Sequence, residues 1–76
     1  MPTSSPSLAD EVRAAKLPSP AMARAIREAA GVAQARLARE LKVHRLTVSR
    51  WETGERHPRG PNRASYAALL HELSTS

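Results

Sequence analysis

Arg45, Leu46, Ser49 and Arg50 are spaced so that two guanidiniums, a hydroxyl and an apolar side chain share one face of a helix. With about 100° of turn per residue and Arg45 set at zero, Ser49, Leu46 and Arg50 fall near 40°, 100° and 140°. Val48 and Trp51 fall near 300° and 240°, on the opposite side. A helix from Arg45 to Thr53 can therefore pack by one side and offer hydrogen-bond donors by the other. Such a face suits the reading of base edges. An arginine pairs two N–H donors with O6 and N7 of guanine, and an apolar side chain meets the thymine methyl. Thr47 and Ser49 carry hydroxyls for a phosphate or a base edge, with Ser49 the better placed for a base. The competing roles are plainer: solvated arginines, an ordinary exposed leucine, and hydroxyls bonded to their own backbone.

No reaction centre can be assembled from the remaining residues. The three histidines, His44, His57 and His71, lack the i, i+4 pairing with a carboxylate that marks a zinc helix. The only aspartate is Asp10, and there is neither a glycine-rich phosphate loop nor a recognisable serine, histidine and acid arrangement. We expect no catalysis, no cofactor, no metal and no small-molecule substrate. With no cysteine there is no disulfide framework and no thiolate site, in keeping with a reducing compartment. No apolar run approaches the roughly 18 residues that span a bilayer, and the start has no signal-peptide core. The expected location is the cytoplasm, in association with the nucleoid. A chain of 76 residues buries only about 60% of its unfolded surface, which excludes a large catalytic cavity.

The net charge of +5 is unevenly distributed. Residues 20–63 hold Arg24, Arg27, Arg36, Arg39, Lys42, Arg45, Arg50, Arg56, Arg59 and Arg63 against Glu28, Glu40, Glu52 and Glu55. The flanking segments are neutral before and slightly acidic after. A positive field concentrated on the middle of the chain points to a polyanion, against the simpler alternative of a merely soluble arginine-rich helix set.

The periodicities place five helices and no strands. Met1 to Pro6 is a Pro/Ser-rich tail with too little apolar surface to order itself. Ser7 caps an expected helix from Leu8 to about Lys16, with Leu8, Val12 and Ala15 on one face. Leu17-Pro18-Ser19-Pro20 closes that helix and opens the next, with Ser19 as cap, Pro20 in the first position and Gly31 as the stop. A third helix opens at Gln34 and buries Leu37, Ala38 and Leu41, then turns through Leu41, Lys42 and Val43. His44 begins the fourth, where Ser, Thr, Asp or Asn caps better, and Gly54 ends it. After a loop from Glu55 to Gly60, a last helix runs from Pro61 or Asn62 to Leu73, with a stripe of Tyr66, Leu69, Leu70 and Leu73. The expected core is Ile26, Val32, Leu37, Leu41, Val43, Val48, Trp51, Tyr66, Leu69, Leu70 and Leu73. Trp51 could stack on single-stranded bases, but its apolar side of the helix assigns it to that core.

From about Ile26 to Leu73 the chain resembles the Cro and phage-repressor class of helix-turn-helix domains, the Xre-type family. The resemblance rests on Gln34, the Leu37-Ala38 pair, Val43 in the turn, Val48 and Trp51 inside, and Trp51-Glu52-Thr53-Gly54 followed by the basic Arg56-His57-Pro58-Arg59. Three positions depart from that pattern. Ala33 replaces a capping Ser or Thr, Lys42 replaces Gly, and His44 replaces Ser or Thr. The resemblance implies an all-α, lambda-repressor-like bundle with residues 1–7 a flexible tail, 8–17 an accessory helix and 18–74 the DNA-binding domain. It also implies a Gln34 contact to phosphate at the start of its helix, and an Arg56, His57 and Arg59 clamp on the sugar-phosphate backbone.

The function expected is a sequence-specific transcriptional regulator of double-stranded DNA, repressor or Cro-like and of the kind found in phages. Gln34, His44, Arg45, Leu46, Thr47, Ser49, Arg50, Arg56 and Arg59 are its expected DNA contacts. A homodimer would read a near-palindromic site with half-sites one turn apart, and a monomer a single one. Two other uses of the same fold stay open: docking onto a protein partner through the Leu8, Val12 and Ala15 face, and sequence-independent nucleic-acid binding.

Overall fold

The computed structural model describes residues 16–75, which hold four α-helices and no strand. These are α1 (Pro20–Ala29), α2 (Gln34–Leu41), α3 (Arg45–Thr53) and α4 (Gly60–Thr75). The bundle is thus four-helical among the described residues rather than five-helical. The expected helix from Leu8 to about Lys16 falls outside them except for Lys16, which is not helical. The expected tail and accessory-helix face lie outside them as well.

Each boundary has a local cause. Ser19 caps α1, its Oγ accepting the Met22 N–H at 3.2 Å, with Pro20 in the first turn. Gly31, at φ 73°, closes α1: Gly31 N–H donates to the Glu28 carbonyl and Val32 N–H to the Arg27 carbonyl. Ala33 gives α2 no side-chain cap. At the other end of α2, Lys42 adopts the left-handed conformation, φ 58° and ψ 42°. Val43 N–H reaches the Ala38 carbonyl at 2.9 Å and Lys42 N–H the Arg39 carbonyl at 3.2 Å, the paired bonds of a glycine-type stop built on lysine. Holding a lysine there costs about 1 kcal/mol. The last helix is longer than the apolar stripe implies. It begins at Gly60 and continues to Thr75, where the Ser74 and Thr75 hydroxyls donate to the His71 and Glu72 carbonyls and satisfy acceptors of the last turn.

α3 packs against α2 and α1, and α4 against α1 and α2. The buried centre is Leu37, Val48, Trp51, Tyr66 and Leu70, with Ala23, Ala38 and Ala67 where backbones approach. Ile26, Val32, Leu41, Val43, Leu69 and Leu73, expected in the core, are only half-buried and form its rim. A chain this short has more perimeter than centre, and small side chains take the central crossings. Trp51 and Tyr66 rings meet at 4.8 Å between centroids with a 40° tilt, which settles Trp51 in the core. Burial pushes the Tyr66 phenol up to about 12.

Two charged residues are also inside. Arg27 on α1 donates from Nε to Glu52 Oε2 at 2.6 Å and from an Nη to Oε1 at 3.0 Å. Its other Nη donates to the Val32 carbonyl at 2.8 Å, and the Gln34 amide donates to Glu52 Oε1 at 3.0 Å. The Glu52 side chain is 2% exposed. Its burial works against the charged form, but the hydrogen bonds from Arg27 and then Gln34 outweigh it and hold the carboxyl below the usual carboxylate range.

Removing one partner leaves the other as an uncompensated buried charge, so Glu52→Gln should lose about 3–5 kcal/mol of unfolding free energy near neutral pH. A carboxyl lowered by folding stabilises above its ordinary range and ceases to do so as pH falls through its lowered value. Urea titrations of wild type and Glu52→Gln should therefore converge in strong acid; a gap unchanged with pH would refute the role of the ionised pair. At the α2–α3 crossing Ala38 is 2% exposed, and Ala38→Val should lower stability by about 1–3 kcal/mol through overpacking. A melting temperature no lower than wild type would contradict that packing.

Candidate nucleic-acid interface

Val48 and Trp51 are buried, and the opposite side of α3 faces outward. Arg45 and Leu46 are exposed, Leu46 at 45%, while Ser49 and Arg50 are half-buried along the same arc. Glu52 lies near 340° on the angular scale that sets Arg45 at zero, between the buried side and that arc. Its bonds to Arg27 and Gln34 therefore fix how far α3 is turned about its own axis. The ends of the helix are fixed as well. The His44 ring caps α3, Nδ1 accepting the Leu46 N–H at 3.1 Å. A side chain that propensity ranks as a poor cap thus does the work of Ser or Thr. That bond requires Nδ1 to be unprotonated, so in the neutral ring the N–H is on Nε2. At the C-terminal end Gly54 is left-handed, φ 81°.

Thr47 belongs to a different surface from Ser49. With Trp51, Glu55, Arg56, His57, Pro58, Arg59 and Asn62 it lines a cleft of about 450 Å³ between α3 and the loop that leads into α4. Arg56, His57 and Arg59 are exposed along it, while Pro58 is buried and pins the loop to the protein. The expected backbone clamp and the expected reading face are thus adjacent, with Thr47 on the clamp side.

Gln34 opens α2 as expected, but its amide is committed in part to Glu52. An amide nitrogen carries two N–H donors, so one remains for a phosphate oxygen beside the first-turn N–H groups of α2. Among residues not expected at the site from sequence, Asn62 lines the clamp cleft, and Glu55 holds Oε2 3.6 Å from the Nε of Arg50. Arg27 was legible only as a member of the charge pattern, and Glu52 as that and as part of the Trp51-Glu52-Thr53-Gly54 signature. An i, i+25 pairing has no local signature.

A family model described as helix-turn-helix, of the Cro/C1 type, matches residues 24–71, more than half of the chain. The chain belongs to the Cro/C1-type helix-turn-helix family. Searches of curated proteins and of solved structures gave no match. Members of this family are DNA-binding regulatory domains, so α2 and α3 are its helix-turn-helix, and the chain is a DNA-binding helix-turn-helix module. In this Cro/C1-type module no helix among the described residues is long and apolar enough to cross a membrane.

The imidazole cap can be tested directly. His44→Ala should cost about 1 kcal/mol of stability in chemical denaturation, and His44→Ser should restore most of it. Equal stability of the alanine variant and wild type would mean that the bond to Leu46 contributes nothing.

Proposed function

We propose that this helix-turn-helix protein is a sequence-specific transcriptional regulator that reads the major groove of double-stranded DNA with α3, as a repressor or Cro-like protein does. The observation that carries the reading is the continuous outward arc of Arg45, Leu46, Ser49 and Arg50 on a helix whose rotation is locked from behind. Arg45 and Arg50 supply paired donors for guanine, Leu46 meets a thymine methyl, and Ser49 reaches a base edge or the nearest phosphate.

The flanking groups hold the helix in the groove. His44 Nε2–H and the second Gln34 amide N–H bond phosphates on one side, and Thr47, Arg56, His57 and Arg59 bond the backbone on the other. These contacts add affinity and salt dependence without sequence information. Two copies bound to half-sites about 34 Å apart would read a near-palindromic operator.

Selection from a random duplex library, followed by titration of the winner, tests the reading. Arg45→Ala should lose about 1–3 kcal/mol on the selected site and much less on a scrambled duplex. Equal weakening on both would confine Arg45 to phosphate. Failure to enrich any sequence would refute specific reading altogether.

A further inference from the structure

At the end of α3 the chain folds back over Arg50. The Arg50 carbonyl accepts from the Thr53 hydroxyl at 3.1 Å and from the Arg56 N–H at 3.2 Å. Glu55 N–H donates to the same Thr53 hydroxyl at 3.4 Å, and left-handed Gly54 makes the reversal possible. The result sets the Glu55 carboxylate 3.6 Å from Arg50 Nε. No other ion pair among the described residues involves an expected base-reading arginine. Glu55 also lines the clamp cleft beside Arg56, His57 and Arg59.

A carboxylate is an odd group to find on a surface meant for phosphates. It repels the DNA backbone, and its attraction for an exposed arginine is small, up to about a fivefold factor in an equilibrium. Its placement nonetheless changes which DNA group Arg50 prefers. A lone guanidinium is drawn to any phosphate within reach of its flexible stem. Beside a carboxylate its pull on a phosphate is weakened, while its outer N–H pair stays available for O6 and N7 of guanine.

Resting on the DNA-reading assignment above, we propose that Glu55 is a positioning and specificity-determining residue: it holds Arg50 for base contact and discourages its use on phosphate. Arg50 and Glu55 then act as one unit, a directional hydrogen-bond donor with little net charge. Discrimination comes from making the wrong complex worse as well as the right one better.

The test uses the full chain, the duplex selected by the wild type, and a scrambled duplex of the same composition, each titrated at two salt concentrations. Glu55→Gln keeps the shape and removes the charge. It should tighten binding to the scrambled duplex by up to about fivefold and steepen the logarithmic salt slope by about one unit. The ratio of selected to scrambled affinity should fall by about the same factor. Glu55→Asp, which keeps the charge, should hold that ratio closer to wild type. In an Arg50→Ala background Glu55→Gln should leave the ratio unchanged. An unchanged ratio in Glu55→Gln alone overturns the proposal. So does an equal fall in the Arg50→Ala background, which would mean that Glu55 affects discrimination without Arg50. If the wild type enriches no sequence, the DNA-reading assignment fails and this inference with it; an enriched site with discrimination indifferent to Glu55 leaves that assignment standing.

Discussion

Glu52 is the one acid of α3, and the side chain turns inward rather than toward water. Its carboxylate is gripped by the fork of Arg27 from α1 and by the Gln34 amide at the start of α2, so three helices share a single buried charge. A fourth bond, from Arg27 to the Val32 carbonyl, ties in the segment that connects α1 to α2. Val48, Trp51 and their neighbours make non-directional contacts. A bidentate charge-assisted pair is directional. The desolvation cost makes it a weak source of net stability, but it fixes geometry. In the proposed reading role geometry is what matters, since a roll of one residue's turn would replace one outward set of side chains by another.

Around that pair the structure separates two tasks. The arc of α3 carries groups suited to directional bonds, and the loop from Glu55 to Arg59 carries charge with little direction. The helix ends serve both. A histidine caps one end and a left-handed glycine closes the other. The turn between α2 and α3 is held by Lys42 in a conformation that glycine adopts more easily, so some stability is lost there.

Much of this was visible in the residue pattern. The angular sorting of Arg45, Leu46, Ser49 and Arg50 against Val48 and Trp51 agrees with the observed burial, because a nine-residue helix is governed by its own periodicity. Ser19-Pro20, Gly31 and Gly54 marked their boundaries for equally local reasons. The stripe on α4 was only half right: Leu69 and Leu73 lie at the rim and Ala67 in the centre. Spacing tells which residues share a face but not where on that face the neighbouring helix crosses. His44 was undervalued because cap preferences average over many sites and do not see one ring nitrogen aimed at one N–H.

The sequence by itself determined the all-helical class, the helix-turn-helix and the side of α3 left outside, since these follow from periodicity and turn chemistry within a few residues. Only the tertiary structure decided that Arg27 and Glu52 leave the surface, that Gln34 divides its amide between the protein and the outside, and that Glu55 returns to Arg50. Each of these is a meeting of groups brought together by helix packing or chain reversal. Charge pairing depends on distance in space, and distance in sequence does not report it.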